Sequence, residues 1–394
     1  MKLRFDASVE AFRAEFLEWL EQNRPSADEL AAEPARSSAH LPSWARGWAQ
    51  RLFDAGWLIP GWPPELGGRN AGAVETLVYL EELNRHNIPR TTNPQGVGII
   101  APSLIDYGTQ EQIDSYAIPV LRGELSACLG MSEPDAGSDL ASLKTRAVFD
   151  GDSIVLNGQK VWTSGAHDAD FCFMFCRTDP DVPKHRGISI VLVPMDTPGL
   201  TVRPLKEIIH PHLPDLNEVF LDDVMVPAEN LVGELNNGWR MANGALAHER
   251  NLVWLMAVLG NESAFANLLE MLPQLLQDCT LSEQTSAIDD LVGLHVDTVA
   301  ARCLGYRGFA RYTKGGTAPE QALMKVYTSE IRQRLALFAA ELAGPASLKP
   351  SAKRHTDVGT LEDFYSTFAS TISAGSSEIQ RNIIAEKVLS LPRS

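Results

Sequence analysis

Residues 145–162 read TRAVFDGDSIVLNGQKVW. Apolar and polar residues alternate on both sides of Asp150-Gly151-Asp152, so Thr145–Phe149 and Ser153–Leu156 are predicted strands of a hairpin. Asn157-Gly158, the strongest short hairpin dipeptide, predicts a second turn directly after them. Strand-like runs follow at Phe171–Cys176, Ile188–Val193, Leu200–Pro204 and Glu218–Leu221. Many short strands with close turns predict a β-barrel or sandwich.

Helical patterns flank this region. Phe5, Val9, Phe12, Phe16 and Leu20 recur at steps of three and four, one face of an amphipathic helix. Trp44–Ala55, Ala73–Asn87 and Gly96–Tyr107 read as further helices, with Gly61-Trp62-Pro63-Pro64 and Gly67-Gly68 marking a loop. Downstream, Leu323, Tyr327, Ile331, Leu335, Phe338 and Leu342 form a long stripe that Gly344-Pro345 stops. A last helix carries Ile379, Ile383, Ile384 and Val388, and Ser377 with Gln380 has the spacing of a capping box. The expected fold is α+β and multidomain. It has an N-terminal α-helical domain (1–125), a central β-barrel (126–235) and a C-terminal four-helix bundle (236–394).

The chain has 394 residues with a net charge of −16, which argues against a nucleic-acid partner. No signal peptide and no span long enough for a bilayer is read, so a cytoplasmic protein without a membrane partner is expected. Cys128, Cys172, Cys176, Cys279 and Cys303 form no CxxC pair, and buried thiols are expected. His210-Pro211-His212 lacks companions at a useful spacing, so no metal site is expected.

Taken singly, the candidate site segments stay open. Glu133–Asp139 is a turn-rich loop that either links two regions or holds a polar cofactor. Trp162 is either a core side chain or a platform for a flat ring. Ser376-Ser377 either caps a helix or offers a polar-group site at its start. Glu249 and Arg250 read alone as a solvated pair. The chain shows neither G-x-G-x-x-G after a strand nor a P-loop.

Four segments in order resemble the acyl-CoA dehydrogenase family: MSEPDAGSD at 131–139, LNGQKVW at 156–162, FLDDVMVP at 220–227 and SAGSSEIQRN at 373–382. The resemblance covers most of the chain. It implies FAD, held by Met131, Ser132, Trp162, Thr163 and Ser164 along the flavin and by Ser376 and Glu378 at the adenosine end. It places Ser138, Arg250 and Ala374 at the acyl-CoA substrate. It also implies dehydrogenation of the carbons next to a thioester carbonyl, with electron-transfer flavoprotein as acceptor. Many members carry the catalytic base where this chain has Ala374, which cannot act as one. A subgroup places its Glu on the first long helix of the C-terminal domain, a position matched by Glu249.

Two departures bear on assembly. The R-x-T-F-G segment is missing from residues 269–283, and the Q-x-x-G-G segment is matched only by Glu341-Leu342-Ala343-Gly344-Pro345. Both serve a neighbour's FAD in the family. A heteromer with a related subunit, of the kind found among steroid side-chain members, is therefore expected beside a plain homo-oligomer. A partner subunit with little catalysis and a flavin oxidase or monooxygenase on the same fold are the alternative functions.

Overall fold

The computed structural model describes residues 5–209, 213–277, 279–314, 320–349 and 360–392, with backbone only at 243–253, 312 and 320–321. Two compact units form, one holding most of residues 1–249 and the other residues 250–394.

In the first unit, helices Ala7–Asn23, Ser43–Asp54 and Ala73–Arg85 follow the apolar spacing. They bury Phe16, Trp48, Trp57 and Tyr79, with Phe16 lying 4.8 Å from Trp57 and 4.7 Å from Tyr79 between ring centroids. Each such ring buries roughly 150–250 Å². Gly96–Ile100 makes a π-helical turn before the Ala101–Tyr107 helix, and the Ser103 hydroxyl closes it on the Ile99 carbonyl at 2.6 Å.

Eight strands follow: β1 Ala127–Gly130, β2 Arg146–Asp150, β3 Ser153–Lys160, β4 Phe171–Arg177, β5 Ile188–Pro194, β6 Leu200–Pro204, β7 Asn217–Pro227 and β8 Leu231–Val232. Their order is β6-β7-β3-β2-β4-β5-β8, with β1 parallel to β4. One residue pair, Arg146 with Arg177, joins β2 to β4. Ile154, Leu156, Cys172, Met174, Val191, Val219 and Val224 meet in the core these strands enclose. The thiols of Cys128, Cys172 and Cys176 are buried there, whereas Cys303 is exposed. β1 escaped the sequence reading because its four residues are too few to carry an alternating pattern or a clear apolar run.

The hairpin expected at Asn157-Gly158 does not form. β3 runs straight through both residues, and only the Asp150–Ser153 turn reverses the chain. The Asn157 side chain instead reaches across to β7: its Nδ2 donates to Asp223 Oδ1 at 2.9 Å, and its Oδ1 accepts from the Asp223 N–H at 3.0 Å. Asp223 has a left-handed backbone (φ 48°), and the register shifts there, Leu156 opposing Val224 and Gly158 opposing Leu221. The Asn-Gly pair therefore braces a β-bulge.

In the second unit, the Leu281–Tyr312 helix opens with a capping box in which Thr280 and Glu283 exchange hydrogen bonds. Such a cap is worth about 1 kcal/mol. Helices Glu320–Ala343 and Leu361–Ile372 follow, the first ending where Gly344 turns left-handed. Buried Val258, Leu291, Leu294, Ile331 and Leu335 make its core. Arg302–Glu262, Arg332–Asp363 and Arg334–Asp297 pairs tie its helices together.

Candidate functional site

The site in the first unit is built at the ends of β1 and β3. Met131 and Ser132 follow β1, and Trp162, Thr163 and Ser164 follow β3. The two exits are bound together, since the Val161 N–H donates to the Ser132 carbonyl at 2.9 Å. Lys160, fully buried, sends its Nζ to the Met131 carbonyl at 3.1 Å and to Glu133 Oε1 at 2.8 Å. The Glu133 carboxylate also accepts the N–H groups of Lys144 and Thr145, at 2.6 and 2.8 Å. Burial alone would raise the Glu133 pKa; the Lys160 charge and these hydrogen bonds outweigh it and hold the carboxyl below its usual range.

Trp162 is not a core residue. It is 61% exposed and adopts a left-handed backbone with φ 61°, which a bulky side chain rarely takes. Strain of this kind costs about 1–3 kcal/mol and persists only where the surroundings over-determine it. Those surroundings are visible on its C-terminal side. The Thr163 N–H donates to the Asn217 carbonyl at 3.0 Å, and Asn217 Nδ2 returns a bond to the Thr163 carbonyl at 2.9 Å. Thr163 is buried, and its hydroxyl has no partner among the described residues. An outward indole beside an unspent buried hydroxyl suits a flat, polar-edged ring. None of these five residues ionises near neutral pH, so this corner can bind and orient but cannot act as an acid or base.

Trp162→Gly therefore has two expected effects of opposite sign. The chain without cofactor should be as stable as before or gain about 1 kcal/mol, because glycine accepts the left-handed backbone without strain. Affinity for a flat, polar-edged ring, probed with free flavin by fluorescence titration, should fall. Loss of both together would mean that the indole supports the fold.

Ser138 lies exposed on the loop beyond Glu133, and Lys184 ties the neighbouring Asp139 down at 2.7 Å. A small pocket in the same unit is lined by Ile99, Leu129, Met131, Phe173, Phe175 and Met241. The hydroxyl of Ser103, also on its wall, is already spent on Ile99, so the pocket suits an apolar group.

In the second unit, Ala374 and Gly375 are both left-handed, with φ 53° and 85°. Gln380 Nε2 holds the Ala374 carbonyl at 3.1 Å. The expected cap is shifted by one residue: Ser376, not Ser377, is the N-cap and accepts from the Ile379 N–H at 3.4 Å. The left-handed step through 374–375 sets where the helix starts, and the Ser377 hydroxyl is buried and has no partner among the described residues. Glu378 is exposed in the first turn, its carboxyl held low first by its own backbone N–H and then by Ser376. Glu249 and Arg250 fall within the Gly238–Leu275 helix, and their side chains lie outside the described residues, as do His210, Pro211 and His212.

Glu133, Lys160 and Asn217 were not singled out as site residues from sequence. A signal existed for Lys160. It sits at an inward position of β3 with Ile154 and Leu156, and a lysine on an apolar face requires a buried acid. Among the described residues, no cluster of three or more His, Cys, Asp or Glu could hold a metal, and no helix is long and apolar enough to cross a membrane.

Three family models match in succession: the acyl-CoA dehydrogenase N-terminal domain over residues 7–124, the middle domain over 128–224 and the C-terminal domain over 236–389. The acyl-CoA dehydrogenase IpdE1 of Mycobacterium tuberculosis is 37% identical over 98% of both chains. Among solved structures, the Tcur3481–Tcur3483 steroid ACAD superposes with a TM-score of 0.82 at 30% identity, covering 100% of both chains. The ChsE4–ChsE5 complex from Mycobacterium tuberculosis follows, with a TM-score of 0.80 at 28% identity over 100% of both chains. The order of the segments, the corner at Trp162 and these likenesses agree: the chain belongs to the acyl-CoA dehydrogenase family.

Proposed function

We propose that the chain performs FAD-dependent α,β-dehydrogenation of an acyl-CoA thioester to the 2-enoyl-CoA, passing electrons to electron-transfer flavoprotein. The observation that carries this reading is Trp162, presented outward on a strained backbone beside the unpaired Thr163 hydroxyl. Met131, Ser132, Trp162, Thr163 and Ser164 would hold the flavin, and Ser376 and Glu378 the adenosine end. FAD, when bound, supplies a two-electron acceptor.

The chain's own part is proton chemistry and positioning. Glu249 takes the α-proton as its carboxylate, and the β-carbon gives up its hydrogen with the electron pair of its bond. Charge develops on the thioester oxygen as the α-proton leaves. The Ala374 N–H would donate to that oxygen, and the left-handed step at 374–375 would present it. Ser138 and Arg250 would hold the CoA portion. The apolar pocket lined by Ile99 and Phe173 would receive part of the acyl group.

The likeness to a steroid ACAD supports a bulky, steroid-derived acyl group. A screen of acyl-CoA esters, followed by anaerobic bleaching of the flavin, tests this. Bleaching by steroid-derived esters is expected, and bleaching by short straight chains alone would overturn the choice.

A second reading, a heteromer in which a related subunit completes the cofactor site, is favoured by one feature of sequence and one of structure. The R-x-T-F-G and Q-x-x-G-G segments are missing. Leu281, Ile288, Val292 and Val299, spaced by seven, four and seven, also leave an exposed apolar stripe on one helix. Stripes of this kind mark association surfaces. The purified chain is expected to carry less than one FAD per protomer by its visible spectrum, and to gain it on adding the partner. Full occupancy and turnover by the chain alone would leave the homo-oligomer.

A further inference from the structure

We propose that Asn217 is a positioning residue. It holds the Trp162–Thr163 corner in the conformation that meets the cofactor ring, and this rests on the reading above that Trp162 faces FAD. Asn217 is fully buried at the start of β7. Its Nδ2 donates to the carbonyls of Thr163 and Asp215, at 2.9 and 2.8 Å. Its Oδ1 lies 2.9 Å from His167 Nδ1. Two carbonyls facing one end of the amide fix the nitrogen there, so the oxygen faces His167, which must carry its proton on Nδ1. Both of its N–H donors and one lone pair of its oxygen are used.

The placement explains why the chain leaves the sheet. β3 and β7 pair as far as Lys160 with Val219. Two residues further along each strand, after Val161 and Glu218, Trp162 and Asn217 would be partners. Instead Asn217 takes both backbone groups of Thr163, one residue beyond, at 3.0 and 2.9 Å. Trp162 is left in the step between a paired Val161, bonded to Ser132, and a paired Thr163. With its neighbours fixed on both sides, it has no room to relax from φ 61°. The Gly165 N–H, donating to the Asp215 carbonyl at 2.7 Å, secures the next turn on the same segment. A buried primary amide is costly unless fully paired, and an apolar side chain would fill the same space at less cost. What the amide adds is the clamp.

The test uses the full chain labelled with 5-fluorotryptophan, the Trp162 resonance being assigned with Trp162→Phe. Asn217→Asp keeps the size but cannot donate to both carbonyls, and Asn217→Ser keeps one donor in a smaller, uncharged side chain. In Asn217→Asp the Trp162 resonance is expected to move and broaden while the others hold. FAD Kd is expected to rise about tenfold, as for loss of a buried hydrogen-bond pair. Asn217→Ser should fall between the two, and it keeps the question answerable if the aspartate variant does not fold. A Trp162 resonance unchanged in either folded variant, with only a lower melting temperature, would overturn the proposal and make Asn217 a packing residue. A resonance that moves while FAD affinity stays constant would overturn the link from Trp162 to FAD instead, so the two failures are distinct.

Discussion

Glu249→Gln is expected to slow reduction of the bound flavin by an acyl-CoA about a hundred- to ten-thousand-fold, the range a positioned general base contributes. Glutamine keeps the shape of the side chain but cannot accept a proton. The α-proton of a thioester is too weakly acidic to leave unassisted at neutral pH. Where many relatives carry their base this chain has Ala374, whose side chain holds no carboxylate. Stopped-flow bleaching under anaerobic conditions measures the rate. FAD content and melting temperature should stay unchanged, which separates lost chemistry from lost structure. A carboxylate restored by Ala374→Glu in the Glu249→Gln background is expected to recover part of the rate. Undiminished bleaching in Glu249→Gln would remove the assignment.

Glu133→Ala is expected to destabilise the first unit by about 3–5 kcal/mol, because it strands the fully buried Lys160 ammonium beside a single carbonyl. The Glu133→Gln/Lys160→Met double variant should regain most of that loss, since removing both charges also removes their desolvation cost. Chemical denaturation followed by tryptophan emission measures both. Equal losses in the single and double variants would mean that the stranded charge does not carry the effect. The pH dependence has a defined sign. Because the folded-state pKa of Glu133 is lowered, its contribution is intact above the ordinary carboxylate value of about 4.3 and is lost as pH falls through the lower folded value.

The strands were legible because their signals are local: β2 and the start of β3 alternate, and β4 and β5 are continuous apolar runs bounded by turns. The long helices were legible for the same reason. The failures share another cause. Asn157-Gly158 has the composition of a turn, but its side chain finds Asp223, which lies 66 residues away, and the strand continues. The cap at Ser376 depended on a left-handed step through Ala374, a residue with no intrinsic preference for it. Trp162 lies where a strand pattern ends, and only the pairing of its neighbours decides that it faces outward. The supports beneath it, Glu133 to Lys160 and Asn217 to Thr163, are long-range pairs that no window of sequence contains. The motifs thus located the corner, and tertiary contacts gave it its shape.

The bulge at Asp223 acts as a phase shift along β7. On its C-terminal side the even-numbered Val224 and Val226 point into the core, and on the other side the odd-numbered Asn217, Val219 and Leu221 do. Because side chains alternate with a period of two, one extra residue inverts the parity of everything beyond it. Deleting Asp223 would leave Asn217, Val219, Leu221, Val224 and Val226 in unbroken alternation on the core face, so the Asn217 amide would keep its side and the Asn157 brace would be lost. A one-residue insertion between Asn217 and Leu221 would instead put Asn217 out of phase with the core-facing residues beyond it and turn its amide away from Thr163. A change of length at the Gly151 turn, where open space surrounds the backbone, would leave that count untouched.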